Sequence, residues 1–418
     1  MNAAFQDQVE NTDEIEEQMI FEEYKIWKKN APFFYDTLYS HALTWPTLSC
    51  EWMLDRTVPQ GSDSSHQKIL VGTHTSNDEQ NYVQIMSVKV PLESSKDSRD
   101  QVMDPAKDLA KGDGTAAPPR HERISIHTQI NHAGEVNKAR YMPQSQNIIA
   151  TKTISGEVHI FDYFKHPSRP TTDEVKPDLK LLGHKREGFG LAWNPVRAGL
   201  LLSGSDDNMI CIWDVNQPNQ LSNTVEATHV YEAHTQVVED VAWNHHDENQ
   251  FASVSDDRRL LLWDLRQKQP HASIEAHMQE IMCVDCSPFD PNLLVTGSAD
   301  RSVAVWDTRN VKCKLFSLRQ HREEVNQVKF SPLHGNLLAS SSSDRRVNIW
   351  DLSRIDRPQS EEDRKDGPPE LLFVHGGHTA KVSDISWNHN ERLMMASCAE
   401  DNIMQVWQVA YEIYYDQK

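Results

Sequence analysis

The sequence predicts an all-β fold: a seven-bladed β-propeller with an N-terminal α-helix and a short C-terminal helix. Two observations carry that prediction. A histidine-to-aromatic spacing recurs six times, and the interval between the two is filled by strand-like alternation. His132, His184, His234, His277, His321 and His378 each precede an aromatic by 29 residues: Phe161, Trp213, Trp263, Trp306, Trp350 and Trp407. Ten residues before each aromatic stands a hydroxyl: Thr151, Ser203, Ser253, Thr296, Ser340 or Ser397. Six before it stands Asp207, Asp257, Asp300, Asp344 or Asp401, with Ser155 in that place in the first unit. Seven and nine after each His the residues are mostly apolar, as in Leu191/Trp193 and Val328/Phe330, and a period of two marks half-buried strands. Turn signals such as "GSDDN" and "SDDRR" separate these from "NMICIWDV" and "RLLLWDL".

Six units fill 276 residues, 46 each. The pattern is similar to the WD repeat, a four-stranded propeller blade with a period of roughly 40–45 residues. One small sheet cannot bury both faces, so blades pack in a ring. A seventh blade is expected upstream, where "TLSCEWML", "KILVGTH", "YVQIMSVKV" and "ISIHTQI" supply four strand-like runs. After Trp407 too little chain remains for an outer strand before "AYEIYY", a short helix. The segment around Leu38–Trp45 is therefore expected to close the last blade and remove its free edge. The domain layout is residues 1–35 for the helix and its acidic lead, 36–410 for the propeller, and 411–418 for the C-terminal helix and tail.

His, Ser/Thr and Asp in fixed register resemble a hydrolase triad. A catalytic set occurs once, however, and this one occurs five times in full. The tetrads, such as His184, Ser203, Asp207, Trp213 and His234, Ser253, Asp257, Trp263, are expected to be structural networks. With no phosphate loop, metal-binding helix motif or nucleophile elbow, the expectation is a non-enzyme without cofactor or metal. "CVDC" lies in a strand, where Cys283 and Cys286 point to opposite faces, so it is not expected to hold a metal. Six scattered cysteines suit a reducing compartment.

Acidic side chains number 62 against 42 basic, a net charge of −20. That balance disfavours direct nucleic-acid binding and suits a basic partner. No run of apolar residues reaches membrane-spanning length, and the N-terminus lacks a signal-peptide core, so no membrane association is expected. Each His turn must meet its Asp turn, so residues just after the His ring one end of the channel. Three after the His they are Glu135, Glu187, Val237, Glu280, Glu324 and Lys381, with Glu239 two beyond Val237. A ring of like charge around a funnel concentrates cations.

An amphipathic helix is expected from about Glu14 to Asn30, ended by Pro32. The gap from Trp350 to His378 is 28 residues, against 14 to 23 elsewhere. "LLFVHGGH" is a blade strand and His turn, so the insert is residues 354–370. It carries Asp356, Glu361, Glu362, Asp363, Asp366 and Glu370, stiffened by Pro368 and Pro369. The other insert, 92–120, is mixed in charge, rich in small residues and expected to be disordered.

"EEYKIWKKNAPFFYD", "HALTWP", "INHAGEVNKARYMPQ", "IIATKT", "DGPPELLFVHGGHTAKVSD" and "EDNIMQVWQ" resemble the retinoblastoma-associated histone-binding WD-repeat family. That family includes the chromatin assembly factor small subunit and the type B histone acetyltransferase accessory subunit. The resemblance spans about residues 14–415. It implies a histone-carrying scaffold of chromatin assembly, acetyltransferase, deacetylase or Polycomb-type complexes, in the nucleus with a cytoplasmic pool. It implies a side groove for a histone H4 helix built from Ile26, Phe33, Phe34, Glu362, Asp363, Asp366, Leu372, Phe373 and Val374. It also implies a top face for the histone H3 tail or basic peptides, carried by Glu135, Asn137, Glu187, Phe189, Glu239, Glu280, Glu324, Lys381 and Glu400. The chain departs from the family at Arg364 and Lys365, which dilute the acidic loop, and at Phe189, where the family often has Tyr. The alternative reading is a substrate receptor of a cullin-type ubiquitin ligase, suggested by "WDLR" (Trp263–Arg266) and "WDTR" (Trp306–Arg309).

Overall fold

The structure, a computed structural model, describes residues 3–75, 79–92, 123–216 and 223–415. The expected disordered insert lies outside the described residues except for Leu92, as do tail residues 416–418.

The described strands form seven sheets, and six of these have four strands. Blade 1 spans 50–132, blade 2 136–182, blade 3 191–231, blade 4 238–275, blade 5 281–319, blade 6 325–375 and blade 7 382–409. Blade 2 gains a fifth strand, because Thr224–Glu226 pairs in parallel with Leu179–Leu182 on its outer edge. Each sheet runs antiparallel from an inner to an outer strand. The expected four strands of blade 1 all form.

Closure comes from the N-terminal side, as expected. Strand Tyr35–Ala42 pairs antiparallel with Ile403–Val409, placing Leu38 opposite Trp407. It starts three residues earlier than the sequence suggested, because the buried Tyr35 ring is held against Phe373 (centroids 5.4 Å apart) and Trp407 (6.2 Å).

Helix α1 (Ala3–Phe34) is longer than expected at both ends and runs through Pro32. Proline there removes one N–H from the last turn, a modest loss. Tertiary contacts hold that turn: Ala31 is buried, and the Phe34 carbonyl accepts from the Ala410 N–H (2.9 Å). Helix α2 (Tyr411–Tyr415) follows the last strand.

The core lies between blades. One cluster joins Tyr39, Trp52 and Ile69 to Met394, Ala396 and Val406 across the closing seam. Cys283 and Cys286 fall in different clusters, as alternation requires. Tight turns carry the tetrad aspartates. The residue after each is left-handed, with φ of 61–71° at Asn208, Arg258, Arg301, Arg345 and Asn402. None of these is glycine, and the aspartate offsets the strain by accepting the next backbone N–H, as Asp257 does from Arg259 (2.9 Å).

Candidate functional site

The tetrads form, and they are buried. His234 meets Asp257 at 2.9 Å and Ser253 at 2.7 Å, and Trp263 Nε1 donates to the same hydroxyl at 2.8 Å. The units of His277, His321 and His378 repeat this. Two units depart from the expected network. In the first, His132 Nδ1 meets the Gly134 carbonyl, while Ser155 pairs with Thr153 instead of the histidine. In the second, His184 meets Asp207 (3.2 Å) and Ser203 (3.1 Å), but Trp213 Nε1 donates to the Leu182 carbonyl. The reason is Lys152, whose buried ammonium bonds the Ser203 hydroxyl (2.8 Å) and the Gly204 carbonyl. Burial lowers its pKa to about 8. The lone lysine in "TKT" was its only sequence signal. Ser203 has no exposed surface, so this Lys–Ser–His–Asp chain cannot reach a substrate.

The side groove lies between α1 and the outer strand of blade 6, Leu371–His375. It has a volume of about 330 Å³. Trp27 fixes the helix: its Nε1 donates to the Tyr35 hydroxyl (3.0 Å), which meets His375 Nδ1 at 2.8 Å. Burial raises the Tyr35 pKa and lowers that of His375, so both stay neutral. Gly377 makes room, because a Cβ there would lie 2.7 Å from the Trp27 ring. Ile26, Phe34, Phe373 and Val374 line the groove together, with Ile20, Tyr24 and Trp27.

Several expected groove residues sit elsewhere. Phe373 is 9% exposed and belongs mainly to the core under Tyr35 and Trp407. Leu372 packs on the same core. Phe33 is exposed outside the groove lining. Glu362, Asp363 and Asp366 are exposed on the 354–370 insert and do not line the groove either. Ser360 caps the turn Asp363–Lys365 by bonding the Asp363 carboxylate (2.8 Å) and N–H (3.0 Å). The charged wall of the groove is instead Glu23 facing Arg345 (3.3 Å) and Arg346 (3.9 Å). The "SDRR" turn held that signal.

On the top face, Phe189, Glu239, Lys381 and Glu400 share a mouth of about 170 Å³ with Leu48, Met282 and Asn326. Asn137 is buried and donates to Glu187 (3.0 Å) and the Gly188 carbonyl (3.4 Å). Lys381 pairs loosely with Glu400 at 3.7 Å. Glu324 lines a separate notch beside Arg301 and Arg319, Glu280 is exposed, and Glu135 is half-buried. The expected ring is therefore split. The sequence reading missed Asp206 and Asp256, each one before a tetrad aspartate and marked by the doubled "DD". Burial, then Asp256, Asp206 and Asp240, push Glu239 up to about 8. Asp206 and Asp256 are raised as well, and Asp206 Oδ1 is buried without a hydrogen-bond partner. Such a cluster is electrostatically incomplete and gains from an added cation.

Arg266 and Arg309, the ends of the two adaptor-like tetrapeptides, fold back onto Asp264 and Asp307. No group of three or more metal-ligating side chains occurs among the described residues, and no described helix is long and apolar enough to cross a membrane.

Three family models match the chain. One, described as the histone-binding protein RBBP4 or a lettered component of the CAF1 complex, matches residues 22–92. The WD-domain G-beta repeat covers 176–214 and 369–408, and an EIPR1 beta-propeller model covers 219–350. The first match holds most of the groove-forming half of α1, the closing strand and the first three strands of blade 1. The chain belongs to the WD-repeat histone-binding family that this match and the repeats define.

Proposed function

We propose that the protein carries histones H3 and H4 and serves as a nuclear scaffold subunit of chromatin assembly, histone-modifying and remodelling complexes, acting by binding and not by catalysis. The observation that carries the reading is the groove between α1 and blade 6. It has apolar walls at Ile26, Phe34 and Val374, charged groups at one edge, and a width set by Trp27 and Gly377. An amphipathic helix with flanking basic residues suits such a groove, which favours a histone H4 helix there. The carboxylates of the top face suit the basic histone H3 tail.

The test is calorimetric titration with an H4 helix peptide. Val374→Asp and Ile26→Asp change half-buried and exposed positions, so they are expected to weaken binding at least tenfold with an unchanged melting temperature. Unchanged affinity in both would remove the side-groove assignment. Phe373 is unsuitable for this purpose, since charging it would damage the core.

A further inference from the structure

The channel has a second end. Lys138, Asp240 and Gln327 line both the top mouth and a larger cavity of about 420 Å³ opening on the opposite face, so they form a plug between the two. The walls of this lower vestibule are aromatic: Trp193, Trp243, Trp387, Phe330 and Tyr141. Each indole N–H is already used, donating to the carbonyl of Arg140 (2.9 Å), Ala192 (3.0 Å) and Lys329 (3.0 Å) of a neighbouring blade. What the indoles offer the cavity is therefore carbon surface. The rim continues in kind. Val196, Phe289 and Leu333 each follow a wall proline and are 49%, 51% and 39% exposed, an apolar collar on a strongly acidic protein.

The polar floor is nearly balanced, with one carboxylate in surplus. Lys329 pairs with Asp285 (3.2 Å), while Arg140 (3.1 Å) and Lys138 (3.6 Å) share Asp384. Glu51 has no such pairing. One oxygen accepts the Tyr141 N–H (2.9 Å), and the other lies 3.9 Å from Arg140. A vestibule with aromatic walls, an apolar collar and one under-compensated carboxylate fits a cation on an apolar stem. A guanidinium suits it better than an ammonium, being planar and more weakly hydrated.

We propose that the lower vestibule is a docking site for an arginine side chain carried on an apolar segment of a partner chain, with the guanidinium against Glu51 and the flanking residues on Val196, Phe289 and Leu333. This site lies at the far end of the channel from the top-face carboxylates and apart from the side groove, so it stands whether or not histones occupy those. Burial holds Glu51 at about 7, against the opposing pull of Arg140 and Lys329, while Asp384 adds to the upward shift. An arriving guanidinium would therefore displace a proton, and binding would strengthen between pH 6 and 8.

The experiment uses the full chain labelled with 15N-tryptophan and two peptides, acetyl-Leu-Arg-Phe-amide and its citrulline counterpart. The indole signals of Trp193, Trp243 and Trp387 report the lower vestibule, and the blade tryptophans Trp263 and Trp350 are controls. Saturable shifts confined to the first three are expected, with the citrulline peptide at least fivefold weaker. Glu51→Gln keeps an acceptor for the Tyr141 N–H and is expected to abolish the preference for arginine. Leu333→Ser, on the exposed collar, is expected to weaken the arginine peptide about threefold. Unmoved indole signals, equal affinity for the two peptides, or a preference that survives Glu51→Gln would each overturn the proposal.

Discussion

Asp207 shows how one side chain can serve both fold and surface. Burial opposes its ionisation, yet bonds from His184 and the N–H groups of Lys185 and Met209 hold its carboxyl at about 2. Folding stability from this group is thus present above its unfolded value near 3.8 and is lost as pH falls toward 2. Lys152 acts in the other direction. Its folded pKa, about 8, lies below the unfolded 10.5, so the unfolded chain binds the extra proton between those values and stability rises with pH there. The gap corresponds to about 3 kcal/mol. Lys152→Met should abolish that rise in urea-melting midpoints measured from pH 7.5 to 10; a rise of equal size in the variant would show that another group is responsible. Glu239 gives a third case. Its pKa of about 8 means that a bound cation displaces a proton, so affinity for a histone H3 tail peptide should increase from pH 6.5 to 8.5. Glu239→Gln should flatten this dependence. None of these three shifts was legible in the sequence, because each depends on neighbours from another strand or blade.

At the scale of elements, the spacing of His, Ser/Thr, Asp and Trp was legible because it repeats, and the structure returns it at His234, His277, His321 and His378. The unit of His184 broke the pattern for a reason no single unit could display: Lys152 arrives from the preceding blade. Helix α1 was legible as amphipathic, but its end was misplaced at Pro32, since proline's local preference yields here to burial of Ala31 and Tyr35. The 354–370 insert was found from the gap length, and its ends are tied where expected, with the Asp351 N–H donating to the Glu370 carbonyl (2.8 Å). Its charges were legible, while their position outside the groove lining was not. Trp27 is the hinge pin of the groove. Trp27→Ala should cost roughly 2–3 kcal/mol in chemical denaturation and abolish helix-peptide binding by freeing α1. Retained binding would mean that the helix is held by other contacts.

Across the whole molecule, inter-blade bonds from acidic side chains recur around the channel. Glu51 accepts from Tyr141, Asp240 from Val284, Asp285 from Phe330 and Asp384 from Cys50, each reaching the backbone N–H of the next blade. Much of the negative charge near the axis is therefore structural, which net charge alone could not reveal. These bonds make the ring mutually dependent. Removing residues 1–42 would expose the edge of Ile403–Val409 and leave the seam cluster of Tyr39, Met394 and Val406 uncovered. The truncated chain should elute as higher-order species in size-exclusion chromatography and lose its cooperative melt; a monomer with a native melt would refute the closure argument.

The closing strand also sets an order of events during synthesis. Tyr35–Ala42 leaves the ribosome long before Ile403–Val409, the strand it must pair with. Helix α1 is joined directly to that waiting strand, so the groove wall takes its place only when the last blade has been made. A partner helix that requires this groove therefore passes over nascent and broken chains alike, and its binding serves as an inspection that the circle is finished.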